Sequence, residues 1–266
     1  MLTLALSLGG GHLKYATVLN DIKTDVFCRE DVLEAILKMN PDYNTKAFNR
    51  HFSKLLLYGG MECVGENSYI KVRAGKARKT YLYSDPSAEL SSTVLLLDTE
   101  FPRAEFIVME TTMLNEFLNH QIAQSTIIVL VERMLMDTFF ERLKEQSPSV
   151  LFAPTTDDLL KYGRNGTVVV EKLSARYPKN PVQKRSFSIE KLSVDIFAER
   201  IIKDFINIDD CPLALEIIFK KYRINETRLF NYARERRVDV EIRTMIKDCT
   251  KIELYTDKMR TRLHDI

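Results

Sequence analysis

Asn44-Thr45-Lys46-Ala47-Phe48-Asn49-Arg50-His51-Phe52-Ser53-Lys54-Leu55-Leu56-Leu57-Tyr58-Gly59-Gly60 is the stretch on which the reading of the whole chain turns. Asn44 is a good N-cap and the Gly59-Gly60 pair stops a helix, so the spacing predicts a helix between them. Ala47, Phe48, Phe52, Leu55 and Leu56 recur at helical intervals and form an apolar face. Lys46, Asn49, Arg50 and Ser53 stand at i, i+3, i+4 and i+7 and share the opposite face. Ammonium, amide, guanidinium and hydroxyl groups on one helix face suit base edges and phosphates in a major groove.

Two helical patterns precede it. Leu13-Lys14-Tyr15-Ala16-Thr17-Val18-Leu19-Asn20-Asp21-Ile22 carries Tyr15/Ala16, Leu19 and Ile22 at helical spacing. Residues 29–39 place Val32, Leu33, Ile36 and Leu37 on one face, and Asn40-Pro41 ends that helix because a residue before proline avoids the α region. Behind the third helix, two short strand-like runs (61–64 and 68–72) flank Gly65-Glu66-Asn67, and Arg73, Lys76, Arg78 and Lys79 follow. Over residues 46–79, eight Lys and Arg stand against two acids, a net of +6. Three helices finished by a basic hairpin predict a winged helix-turn-helix DNA-binding domain over residues 12–80. Lys46, Asn49, Arg50 and Ser53 would face the major groove; Lys54, Lys71, Arg73, Lys76, Arg78 and Lys79 would neutralise phosphates, the source of most non-specific affinity. Any solvated helix has a charged face, and small three-helix units also bind proteins. Helix order, the Gly-Gly exit, the hairpin and the local charge together point to duplex DNA.

The chain has 266 residues, enough for two ordinary domains. Its 45% hydrophobic and 29% charged content is that of a folded protein without disordered tracts. The net charge of +2 hides an asymmetry: residues 89–170 hold twelve acids and six Lys or Arg, a net of −6. That opposition supports separate partners for the two regions. Cys28, Cys63, Cys211 and Cys249 lie far apart with no C-x-x-C pair, and are expected to be reduced and mostly buried. His12, His51, His120 and His264 are equally scattered, so neither zinc nor any other metal is expected. Met1 to Leu8 is apolar but lacks a basic n-region, and Gly9-Gly10-Gly11 cuts it off; it reads as a frayed start rather than a signal peptide. No run approaches the roughly 20 apolar residues needed to span a bilayer, which predicts a cytoplasmic protein with no membrane partner. Nucleotide-binding, nucleophile-elbow and metalloprotease motifs are missing too, so no cofactor is expected.

Strands are predicted at 93–98, 105–110, 125–131, 150–153 and 167–172, with helices at 112–119 and 135–145 and a short one opened by Thr155-Thr156-Asp157-Asp158. That alternation predicts an α/β domain over residues 88–187, one sheet covered by helices and partly parallel. Residues 188–266 read as a C-terminal helical segment packing on it, with helices at 189–206, 212–222 and 226–248. Lys220, Lys221, Arg223, Arg228, Arg234, Arg236 and Arg237 make this tail basic again. The fold class is therefore mixed, α+β.

An enzymatic reading has to be weighed. A restriction-endonuclease-like site needs an acid on one strand and a D/E-x-K on the next, the carboxylates holding Mg²⁺ and the lysine steadying the attacking water. Asp98 and Glu110 could be the acids, but the lysine position reads Glu110-Thr111-Thr112. Thr112 has no charge to offer, so the domain reads as restriction-endonuclease-like without activity, and no catalytic residue is assigned. The alternatives to a DNA-binding regulator are thus a Mg²⁺-dependent nuclease of this class and a winged-helix protein-interaction module.

With these elements in this order, the chain resembles the AbiEi-type antitoxins of bacterial abortive-infection toxin–antitoxin systems. The resemblance rests on the winged helix over residues 13–79 and on Ala104-Glu105-Phe106-Ile107-Val108-Met109-Glu110-Thr111-Thr112. The strand–helix pair at 126–142 and Ser188-Ile189-Glu190-Lys191-Leu192-Ser193-Val194-Asp195-Ile196-Phe197 add to it; the latter is similar to a glutamate–lysine–apolar–x–x–aspartate helix start recurring in that family. The resemblance implies a transcriptional regulator that binds its own operator and represses its own operon. It also implies a nucleotidyltransferase-like toxin as functional partner, without a stable complex between the two.

Overall fold

The structure, a computed structural model, describes residues 5–8, 11–57, 60–72 and 78–264, with side chains described from residue 17 to 263 within those ranges. It is a mixed α/β chain divided into two units. One comprises Met1–Lys79, Arg223–Arg228 and Glu253–Ile266; the other comprises Thr80–Tyr222 and Leu229–Ile252. Residue 188, where a C-terminal segment was expected to begin, lies inside the second unit.

In the first unit, β1 (Ala5–Leu8) pairs antiparallel with β2 (Gly11–Lys14), so the described part of the apolar start, Ala5–Leu8, is a strand rather than frayed. That pairing takes Leu13 and Lys14 into the ladder, and the first helix, α1 (Tyr15–Asp21), starts after them. Then come β3 (Val26–Phe27), α2 (Arg29–Met39), a 3₁₀ turn over Thr45–Ala47 and α3 (Phe48–Leu57). A hairpin closes the series: β4 (Met61–Gly65) and β5 (Ser68–Lys71), with β5 between β3 and β4 and antiparallel to both. Val18, Leu19, Ile22, Phe27, Val32, Ile36, Phe48, Phe52 and Leu55 make the core. Burying each contributes roughly 1.5–3 kcal/mol. The last helix in chain order, α12 (Tyr255–His264), packs on β3, β4 and β5; nothing in the sequence pattern predicted it.

In the second unit, Ser87 caps α4 (Ala88–Glu100), its side chain accepting from the Leu90 amide. This corrects the strand expected at 93–98. The Val94-Leu95-Leu96-Leu97 run is strand-like in isolation, but the cap and the burial of Leu90, Thr93 and Leu97 at i, i+3 and i+7 make one helical face. β6 (Phe106–Glu110), a 3₁₀ segment over Thr111–Glu116, β7 (Thr126–Val131), α5 (Met136–Lys144), β8 (Val150–Phe152), α6 (Thr156–Tyr162) and β9 (Thr167–Lys172) follow. The sheet runs β6-β7-β9-β8, with β6 antiparallel to β7 and the other three parallel. β7 is buried along its whole length, as a central β-branched strand should be.

α7 (Ile189–Ala198) and α8 (Arg200–Lys203) replace the single helix expected over 189–206, because Glu199 adopts an extended conformation between them. After α9 (Cys211–Lys221), the helix expected over 226–248 splits into α10 (Glu226–Glu235) and α11 (Asp239–Cys249), with Arg237 at φ +60° between them. All four cysteines are free thiols, and only Cys211 is buried. Among the described residues, no helix is long and apolar enough to cross a membrane.

Candidate functional site

The exposed face of α3 is built from its buried one. Asn44 opens the preceding 3₁₀ turn, its side-chain oxygen accepting from the Lys46 amide at 3.1 Å. Phe48, Phe52 and Leu55 point into the core, with Phe52 edge-on to Tyr69 of β5 at 5.0 Å between ring centroids. Helical periodicity then leaves Lys46, Asn49, Arg50 and Ser53 exposed, as the spacing requires. His51 is buried and bonds the Tyr43 hydroxyl at 2.9 Å. Burial, then the positive charges of Arg50 and Lys54, hold its ring below the ordinary histidine pKa and keep it uncharged at neutral pH.

Arg29, at the first turn of α2, belongs to the same site and was not singled out by the sequence. Its guanidinium lies 4.7 Å from the Phe52 ring centroid and 5.2 Å from that of Phe48, and it donates to the side-chain oxygen of Asn49. The hairpin is tied to this end of α2. Asn67, at φ +47° in the β4–β5 turn, accepts from the Arg29 amide at 3.1 Å and donates to Glu30 at 2.9 Å.

The expected phosphate contacts divide. Lys79 is exposed and Lys54 is half-buried. Lys71 donates to the backbone oxygen of Ile22, and Arg78 donates to Glu62 at 2.7 Å, where the carboxylate is almost fully buried. Both cations thus have a partner within the unit. Arg73 and Lys76 lie outside the described residues.

The two acids weighed for a nuclease each have protein partners. Asp98 sits on α4 and accepts from Arg185 Nε at 2.7 Å. Glu110 is buried and accepts from the Tyr83 hydroxyl at 2.6 Å, the Ser87 amide at 3.0 Å and the Ser125 hydroxyl at 3.3 Å. Among the described residues, no three His, Cys, Asp or Glu side chains gather as a metal site.

A second cluster lies inside the second unit. Lys191 and Asp195, one turn apart on α7, form an ion pair at 0% side-chain exposure. The Tyr232 hydroxyl donates to Asp195 at 2.9 Å and accepts from Lys191 and from Arg236, both at 3.0 Å. Arg236 also donates to Asp195 and to Glu199, at 3.1 Å each. Burial pushes the Lys191 ammonium down, and the Asp195 carboxylate opposes that shift. With two cations and two carboxylates bonded to one another around Tyr232, this network reads as a structural element of the second unit. The glutamate–lysine–aspartate signature in the sequence marks it.

The chain is thus a two-unit α/β protein with a polar exposed face on α3 and a buried Lys191–Asp195 ion pair on α7. The chain belongs to a family of unknown function, DUF6577, whose model matches residues 47–252. No curated protein matches it. Among solved structures, the crystal structure of the RV2827C protein from Mycobacterium tuberculosis is similar over 87% of this chain and 79% of that chain, at 10% identity and a TM-score of 0.23, a likeness too loose to assign a fold.

Proposed function

We propose that the first unit is a winged-helix module that binds duplex DNA, with α3 in the major groove and the β4–β5 hairpin beside the phosphates. The observation that carries this reading is the exposed row Lys46, Asn49, Arg50 and Ser53 on a helix whose other face is locked into a core. The order helix, strand, helix, helix, hairpin supports it, as does the return of β3 to pair with the hairpin. The net charge of +6 over residues 46–79 supplies the electrostatic term that duplex binding needs.

The chain acts, in this reading, as a bacterial transcriptional regulator in the cytoplasm, repressing its own operon as the antitoxin of a toxin–antitoxin pair. That part rests on the resemblance given above, including the Ser188–Phe197 segment. Titrating the protein onto duplex fragments of its own upstream region, at several salt concentrations, tests the DNA step; saturable, salt-dependent binding stronger than to unrelated duplex is expected. Growth rescue on co-expression with the product of a neighbouring nucleotidyltransferase-like reading frame tests the antitoxin step.

A further inference from the structure

We propose that Asn49 reads guanine rather than adenine, because the Arg29 guanidinium already donates to its side-chain oxygen. The inference rests on the duplex-binding reading and goes beyond it by assigning the base chemistry of one contact. An unoccupied asparagine amide offers one acceptor and two donors, the pattern that pairs bidentately with adenine N7 and N6–H₂. Here the Asn49 oxygen accepts from Arg29. The orientation of the amide is not arbitrary: a guanidinium has only donors, so the atom facing it must be the oxygen.

Arg29 is itself held in place. Its guanidinium is stacked over Phe48 and Phe52, and its backbone amide is bonded to Asn67 of the hairpin turn. What Asn49 keeps unshared for a base is its pair of Nδ2 donors, and the second lone pair of its oxygen lies beside a cation. Guanine presents two acceptors in the major groove, N7 and O6, and matches that set. Adenine N7 would accept from one of those donors, but its N6–H₂ would have to approach an oxygen already bonded to a guanidinium, a donor brought up beside a cation, which weakens that pairing. Arg29 is thus a positioning residue for base choice.

The test is selection of bound sequences from a randomised duplex pool by the wild-type protein and by Asn49→Ala, Arg29→Met and Asn49→Asp. Loss of preference in Asn49→Ala identifies the base pair that Asn49 reads. The wild type is expected to favour guanine over adenine there by about tenfold. Arg29→Met, which keeps the stem packed on the phenylalanines, is expected to shift that position towards adenine. Asn49→Asp leaves Arg29 in place and offers an acceptor, so it should turn the position towards a base with an exocyclic amine.

Wild-type selection of adenine at that position, or a guanine preference unchanged in Arg29→Met, would overturn the inference. So would specific binding with no position sensitive to Asn49→Ala; the duplex-binding reading survives all three results. Failure of the wild-type protein to bind any duplex would instead remove that reading, and this inference with it.

Discussion

Arg262 holds both carboxylate oxygens of Asp31, at 2.6 and 2.7 Å, across 231 residues of sequence. Asp31 also accepts from the Cys28 amide at 2.7 Å, so the same carboxylate caps α2 and anchors α12. Burial would push this carboxyl up, but hydrogen bonds from Arg262 and Cys28 outweigh it and bring the pKa down to about 2. A carboxyl with a depressed folded-state pKa stabilises the fold above its unfolded value and loses that contribution as pH falls through the folded one. Arg262→Ala is therefore expected to cost about 1–2 kcal/mol at pH 7. Denaturant titrations should show the gap between wild type and variant narrowing as pH falls from about 4 towards 2. An unchanged gap at low pH would mean that Arg262 acts through packing alone.

The buried network on α7 gives a second expectation. Asp195→Ala leaves Lys191 buried without its counter-charge and should destabilise the protein by roughly 3–5 kcal/mol. Lys191→Met leaves Asp195 with Arg236 and Tyr232 and should cost clearly less. Equal losses in chemical denaturation would contradict this assignment of partners.

Arg78, expected at a phosphate, donates to Glu62. Burial raises the Glu62 carboxyl pKa, and the charge and hydrogen bond of Arg78 oppose that rise. Removing the arginine should raise it further, and a raised carboxylate pKa penalises the fold at neutral pH while protonation relieves it. Arg78→Ala is thus expected to lose more stability at pH 7 than at pH 5, measured by thermal melting. A loss independent of pH, together with a large fall in DNA affinity, would return Arg78 to the phosphate group.

Gly65 ends β4 where an added Cβ would lie 2.6 Å from Thr256 Cγ2 and 2.9 Å from Thr227 Oγ1. Gly65→Ala should destabilise by about 1–3 kcal/mol through overpacking. Adding Thr256→Ser removes the nearer atom but keeps the hydroxyl that donates to Glu226 at 2.7 Å, and should recover part of the loss. No recovery in the double variant would place the strain elsewhere.

What periodicity and capping control was legible in the sequence. α2, α3, the β4–β5 hairpin and β7 lie close to where their apolar spacing and Gly, Pro and Asn boundaries put them. The outward set Lys46, Asn49, Arg50 and Ser53 follows from the same spacing. α4 was misread because four consecutive apolar residues fit either a strand or a helix, and the Ser87 cap decides the matter. Long helices were expected where Glu199 and Arg237 break them, and neither residue signals its backbone conformation. The partners of Arg29, Lys71, Arg78 and Arg262 lie 20, 49, 16 and 231 residues away, beyond any local pattern. Those contacts give Lys71 and Arg78 partners within the first unit and set Arg29 beside Asn49.

Duplex binding by wild-type protein and Arg50→Ala, in fluorescence anisotropy at matched salt, tests the central claim most directly. Arg50 is exposed on α3 and outside the core, so its loss should leave the fold intact. If it reads a guanine bidentately, specific affinity should fall by about 1–3 kcal/mol while binding to unrelated duplex changes little. Identical affinity for the specific duplex in both proteins, or no salt-dependent binding by the wild type, would contradict the account.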